Sequence, residues 1–450
     1  MRSRVFVFLF TAVALMACVS PAQAARPQTN VILILADDLG YGDVGYHGCR
    51  DVPTPHIDSL ARDGVRFTSG YAPHPFCSPT RAALLTGRYQ HRFGHENNPP
   101  WAPDNDEIGL PVDQVTLPEL LRKAGYATGI IGKWHLGGAP CFHPRKRGFT
   151  DFYGFLGGGH MYLPGRKGAA EYNAPLQHNG RTFEESGYLT DVFSREAVRF
   201  VEAHEDQPFF LYLSYNAVHG PLQATARYLE RFQSIPDERR RTYAAMLSAM
   251  DDGIGLLLER LRDLKLEEST LIFFMSDNGG PPAANASSNE PLRGTKGQVF
   301  EGGIRVPFLA RWKGHLSPGR KFQAPVSGMD LFPTMLAACG VEIPKTLPLD
   351  GVNLLPHLRG DQSGTPHERL FWRVGGGSGW AVREGKWKCV RPPAGARLLF
   401  DLENDLSEQT DLADARPEVV ERLTKAYEDW NTANVAPRWE GIRTGRNRNR

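Results

Sequence analysis

Four apolar runs of strand length, each ending in polar residues with chemical capability, constrain this chain more than any other feature. Asn30–Ala36 (NVILILA) runs into Asp37-Asp38, and 128–131 runs into Gly132-Lys133-Trp134-His135. The run 209–215 (FFLYLSY) stops just short of His219, and 270–275 (TLIFFM) leads into Ser276-Asp277-Asn278-Gly279-Gly280. Continuous rather than alternating apolar runs mark strands covered on both faces. Helical patterns separate them at 57–63, 117–124, 188–203 and 241–264. This alternation predicts an α/β fold with a large central, mostly parallel sheet flanked by helices. In such sheets ligands bind outside the carboxyl ends of the strands. Four distant segments are therefore expected to meet at one site.

The texture changes near residue 360. Short strand-like runs at 370–374, 379–383, 387–391 and 397–401 precede an amphipathic pattern at 418–432. We expect a catalytic domain over 25–360 and a C-terminal subdomain over 361–450, the latter a small antiparallel sheet plus a helix. Residues 1–24 read as an export signal. Arg2 and Arg4 precede an apolar stretch, and Ala22-Gln23-Ala24 offers a small-residue cleavage site. The alternative is a lipoprotein anchored through Cys18, since Leu15-Met16-Ala17-Cys18 resembles a lipid-attachment box. No later run is apolar enough for a membrane span.

Composition excludes several classes. With 41% hydrophobic and 23% charged residues the chain can bury a core, so it is neither disordered nor fibrous. The formal charge of +2 falls to zero once Arg2 and Arg4 leave with the signal, which excludes the basic footprint of a nucleic-acid partner. Six irregularly spaced cysteines make no disulfide scaffold. Cys49, Cys141, Cys339 and Cys389 allow three pairings, none of them forced.

Asp37-Asp38 is the first chemical signal, because adjacent carboxylates repel unless a cation neutralises them. A second acidic strand end, Asp277-Asn278, completes an all-oxygen set that suits Ca²⁺ or Mg²⁺ and suits zinc poorly. Cys77-Ser78-Pro79-Thr80-Arg81 places a cysteine ahead of a helix near Pro79. Free N–H groups and Arg81 would favour an anion there. Lys296 lies in a glycine-bracketed loop. Together with Lys133, Arg81 and a divalent cation it would neutralise a tetrahedral oxyanion such as sulfate or phosphate. His135 and His219 are candidates for proton transfer.

Cys77-Ser78-Pro79-Thr80-Arg81 followed by Leu85-Thr86-Gly87-Arg88 resembles the signature of the type I sulfatases, which belong to the alkaline phosphatase superfamily. The resemblance extends over Ala36–Gly40, Gly132–Gly137, His219-Gly220-Pro221, Ser276–Gly279 and Lys296. It implies that Cys77 is oxidised by a formylglycine-generating maturation enzyme to Cα-formylglycine, whose hydrate is the nucleophile. It further implies a cation, calcium rather than magnesium, held by Asp37, Asp38, Asp277, Asn278 and the residue at Cys77. Arg81 would stabilise the hydrate, Lys133 and Lys296 would grip sulfate, His135 would assist sulfate release, and His219 would protonate the leaving alcohol.

Two rivals share these residues. One is a phosphonate monoester or phosphodiester hydrolase of the same superfold, against which Asn278 argues, since two-metal relatives carry Asp-His there. The other is an unmatured homologue that binds polysaccharide without turnover. For the substrate the sequence favours a sulfated glycan. The loop 91–101 is expected to line the pocket entrance with His95, Glu96, Asn97 and Trp101, and His160 is a further candidate for sugar contact.

Overall fold

The computed structural model describes residues 29–168 and 172–441. The export signal expected at 1–24, with Cys18, lies outside the described residues. A ten-stranded sheet runs through the body of the protein. Its centre is a block of parallel strands in the order Thr270–Ser276, Asn30–Ala36, Phe209–Ser214, Ala127–Lys133 and Asp151–Phe155. The edges depart from the parallel pattern. Phe308–Arg311 pairs antiparallel with Thr270–Ser276 on one side, and Leu176–His178 and Arg181–Phe183 turn back on the other. Phe308–Arg311 in turn pairs with Val65–Phe67, and that strand with Arg320–Phe322; these outer strands are only three or four residues long, too short to stand out as apolar runs.

The apolar runs are continuous because the sheet is covered on both faces. Ile32 and Ile34 face one core with Leu211, Leu213, Met246, Met250 and Phe193. Val31, Leu33 and Leu35 face the other, with Tyr212, Leu84, Leu85 and Phe332. Alternate residues of one strand thus enter different cores, and both cores need apolar side chains. The first core is roofed by the helices Leu189–Ala203 and Glu238–Asp263. The second helix begins three residues before the expected 241, where Asp237 caps it by accepting the Arg240 N–H at 2.6 Å.

The C-terminal strands Arg369–Val374, Gly379–Glu384, Trp387–Arg391 and Leu398–Asp401 form an antiparallel meander. One face packs on the helix Pro417–Asn431 through Trp380, Val382, Leu399, Leu423 and Tyr427. The other presses Trp372, Val390 and Phe400 against Tyr71, Ile304 and Met329 of the main body. Cys49, Cys77, Cys141, Cys339 and Cys389 are all unpaired. Among the described residues no helix is long and apolar enough to cross a membrane.

One charged tie between the two parts is pH-sensitive. His367 places Nε2 2.8 Å from Asp330 Oδ1, and Asp330 also accepts the N–H groups of Ser327 and Val352. Burial lowers the basicity of His367, but the Asp330 carboxylate more than offsets this and raises it above the ordinary histidine value. A raised folded-state value means the stabilisation is complete below the unfolded value, about 6.5, and fades as pH climbs through the folded one. His367→Gln is expected to cost about 1–2 kcal/mol near pH 5.5. Thermal unfolding of the two proteins should show that difference shrinking as pH rises above the ordinary histidine value.

Candidate active site

The strand registers explain why distant residues meet. Ala36 is level with Ser276, and Leu35 with Ser214, which is level with Gly132. Asp37-Asp38, Asp277-Asn278 and Lys133 therefore leave the sheet at one edge. Gly132 has φ +110° just before Lys133, and a Cβ there would lie 1.9 Å from the Ser214 carbonyl oxygen, so only glycine permits this crossing. The helix Cys77–Thr86 points its first turn at the same edge, starting two residues earlier than Pro79 suggested.

Ligand atoms of Asp37, Asp38, Cys77 and His219 all lie within 4.8 Å of one another. Lys133 Nζ is 2.6 Å from Asp37 Oδ2, and Lys296 Nζ is 2.7 and 2.9 Å from the two oxygens of Asp38. Arg81 donates to Asp277 Oδ2 from Nη2 at 2.8 Å and from Nε at 3.2 Å. Asp277 Oδ1 accepts the Asp38 N–H at 3.2 Å, and Asn278 Nδ2 donates to Asp38 Oδ1 at 2.7 Å. Asp37, Asp38, Cys77, Arg81, Lys133, Asp277 and Asn278 are essentially inaccessible to solvent.

The residues fit a hard cation. Asp37 Oδ1 and Asn278 Oδ1 are buried acceptors with no hydrogen-bond partner, a costly arrangement unless something positive meets them. Burial and the neighbouring Asp37 carboxylate push Asp277 up to about 6, against the pull of Arg81. Burial would raise Asp38 too, but Lys296 and His219 bring it down to about 2. Burial holds the Cys77 thiol at about 12, so the unmodified side chain is a poor nucleophile at neutral pH.

Two histidines adjoin the cluster. His219 Nε2 is 3.5 Å from Asp38 Oδ2, and its Nδ1 lies 2.7 Å from the Gly220 carbonyl oxygen. Burial lowers His219 to about 4 despite Asp38. His135 is lowered well below the usual histidine value, first by burial and then by Lys133 and Arg81. Asp38 and His135 both adopt left-handed backbone conformations, φ 62° and 59°. Such conformations cost about 1–3 kcal/mol each and persist only where the surroundings fix them.

Three of the fixing residues were given no role by the sequence. Asn285, fully buried, donates to the carbonyls of Asp38 at 3.1 Å and Val218 at 3.2 Å, bridging the backbones that bear Asp38 and His219. Ser214 accepts from Arg81 and donates to the Lys133 carbonyl at 2.7 Å. Ser78 donates to the His135 carbonyl at 2.6 Å, which ties the signature helix to the Lys133 strand. Ser78 lies inside the signature and Ser214 ends an apolar run, whereas nothing in the sequence marks Asn285.

Most of the loop 91–101 is packed inside the protein, and Asn97 lines a cavity shared with Gly375, Gly376 and residues 437–441. His95 is fully buried, with Nε2 2.6 Å from Ser78 Oγ. Glu96 is buried in an ion pair with Arg373 of the C-terminal sheet and accepts the Gly376 N–H at 2.8 Å. Asn97 donates to the Trp439 carbonyl at 2.8 Å, and Trp101 packs on the second core. The expectation of sugar contacts from this loop is corrected: residues 435–441 and the C-terminal sheet cover it. His160 does line an open cavity of about 1020 Å³, with Tyr162, Arg166, Lys167 and Tyr172. Tyr172 approaches His219, ring centroids 6.2 Å apart, so this cavity adjoins the charged cluster.

Residues 29–341 match the family model described as Sulfatase, and residues 295–433 match one described as N-sulphoglucosamine sulphohydrolase, C-terminal. The human N-acetylgalactosamine-6-sulfatase is 38% identical over 75% of this chain and 67% of its own length. The crystal structure of Ps i-CgsB in complex with k-i-k-neocarrahexaose superposes with a TM-score of 0.87 at 40% identity, covering 92% of this chain and 95% of the other. The phosphonate monoester hydrolase of Agrobacterium radiobacter shares the fold, with a TM-score of 0.65 at 22% identity over 90% of this chain and 95% of the other.

Proposed function

The chain belongs to the sulfatase family, and from that premise we propose that it is an exported enzyme that hydrolyses sulfate esters of carbohydrates at the Cys77 site. One observation carries the reading: three buried carboxylates and three cationic side chains, Arg81, Lys133 and Lys296, converge on Cys77. Their charges cancel, so a divalent cation added to them leaves a net positive pocket, as a sulfate group requires.

Asp37, Asp38, Asp277 and Asn278 would hold the cation, with Ca²⁺ favoured by the all-oxygen donors. When bound, and with Cys77 converted to formylglycine, it would supply an acidified geminal hydroxyl as nucleophile. Lys133 and Lys296, now on Asp37 and Asp38, would turn to the sulfate oxygens and offset the charge that accumulates there. Arg81, fixed by Asp277 and Ser214, holds a positive charge beside Cys77. His219 donates Nδ1–H to the Gly220 carbonyl, which leaves Nε2 facing Asp38 at 3.5 Å, where it would first have to take up a proton before passing it to the leaving oxygen. His135, close enough to Lys133 and Arg81 to feel their charges, would take part in sulfate release.

The glycan reading is supported by the relatives, one named for a sulfated amino sugar and one bound to a neocarrahexaose. The cavity beside His219 is consistent with it. At about 1020 Å³ it exceeds what one small leaving group needs, and Tyr172 and His160 offer ring faces to a sugar. A panel of aryl sulfate, defined sulfated oligosaccharides, phosphate diester and phosphonate tests the proposal. We expect the highest kcat/KM on a sulfated oligosaccharide; a larger rate on the diester would overturn the assignment.

A further inference from the structure

We propose that Glu408 is a positioning residue for Lys296, and that through it the C-terminal sheet sets the anion-gripping side of the active site. This rests on the reading of Lys296 as a sulfate-binding residue. Lys296 lies in a loop whose flanks are both tied to one short segment after the fourth C-terminal strand. Before Lys296, Arg293 Nη1 donates to the Glu408 carbonyl at 2.8 Å, and Ser407 Oγ donates to the Pro291 carbonyl at 2.7 Å. After it, the Glu301 N–H donates to Glu408 Oε2 at 2.7 Å. Glu408 thus holds the loop from both ends.

Glu408 is itself held with unusual rigidity. It is fully buried and adopts a left-handed backbone, φ 51°. Lys388, from the third C-terminal strand, lies 2.8 Å from Glu301 Oε1 and 2.9 Å from Glu408 Oε1, with all three side chains shielded from water. Glu301 Oε2 takes the Tyr71 hydroxyl at 2.7 Å and Arg305 Nη1 at 3.1 Å, and Arg383 donates to the Tyr71 hydroxyl. If docking alone were needed, apolar residues of similar volume would serve as well or better than buried charges. What the charged cluster adds is fixed geometry. Within the loop, Gly297 N–H to the Pro75 carbonyl at 2.9 Å and Thr295 Oγ1 to the Gly280 carbonyl at 2.8 Å pass that geometry on to Lys296.

The test compares Glu408→Gln, Arg293→Ala and Lys296→Ala with the parent enzyme, using inorganic sulfate as inhibitor and an aryl sulfate as substrate. Ion content, Cys77 conversion and thermal midpoint are measured on each. Gln at 408 can still accept the Glu301 N–H but loses the charge paired with Lys388. It is expected to raise KM and the sulfate inhibition constant about tenfold while kcat changes less than about twofold, the pattern of lost uniform binding. Arg293 is exposed, so its alanine variant keeps the test alive if Glu408→Gln fails to fold. It should move both constants the same way, about threefold. In the Lys296→Ala background neither change should add anything. Full additivity, or a lowered midpoint with unchanged sulfate inhibition, would overturn the proposal and leave Glu408 as interface glue. If Lys296→Ala alone leaves sulfate inhibition unchanged, the reading of Lys296 fails, and this inference with it.

Discussion

Replacing Cys77 by serine is expected to lower turnover of any sulfate ester by about 10⁴-fold or more, the scale on which loss of a nucleophile is felt. The expectation follows from what a serine lacks. An aldehyde hydrate carries two hydroxyls on one carbon, so one can attack sulfur and the other can expel sulfate as the aldehyde re-forms. Serine can attack at most once, and no second hydroxyl on its carbon releases the product. An unconverted thiol fares no better, because burial keeps it protonated up to about 12. Mass spectrometry of the Cys77 peptide, alongside steady-state rates of both proteins, decides the matter. Full activity in the serine variant, or in protein whose Cys77 is wholly thiol, would sink the mechanism.

The second large effect is expected at the cation. Asp38→Asn keeps the size of the side chain and removes its charge, and kcat/KM should fall about 10³-fold. Chelation of the parent enzyme should produce a comparable loss that added Ca²⁺ restores, whereas the variant should stay inactive in excess Ca²⁺. Elemental analysis should find an ion in the parent and little in the variant. The reasoning is electrostatic: Asn at 38 also frees Lys296 from its carboxylate, but it leaves too little negative charge to desolvate a divalent ion. Full activity of an ion-free enzyme would contradict the fit argued from the orphaned oxygens of Asp37 and Asn278.

The parts of this fold that were legible from sequence are those where one physical demand acts on consecutive residues. The strands Asn30–Ala36, Phe209–Ser214 and Thr270–Ser276 are buried on both faces, and that burial writes an unbroken apolar run. The site was legible because each of these runs stops at charged or polar residues. Edge strands such as Arg181–Phe183, mostly exposed, carry no such mark. Supporting residues escaped for a different reason. Asn285 acts on backbone carbonyls 247 and 67 residues away, and a lone asparagine between prolines, alanines and serines reads as surface loop. The loop 91–101 misled in the opposite direction. His95, Glu96 and Asn97 look like sugar ligands because they are polar, yet Ser78 bonds His95, and Arg373 and Trp439, far along the chain, bond Glu96 and Asn97.

The burial of Cys77 also imposes an order of events. The residue is 1% exposed in the first turn of a helix, beneath strands and loops contributed from across the chain. Any catalyst that oxidises it needs the segment extended and within reach of its own active site. Folding closes that opportunity, so on the proposed mechanism conversion of Cys77 would belong to the lifetime of the unfolded or nascent chain. Chains that fold first are locked out: they would accumulate as well-folded, thermally stable molecules that later exposure to the maturation enzyme does not rescue. If Cys77 is converted as proposed, yield of folded protein and yield of active enzyme would be separate quantities, set by two competing rates.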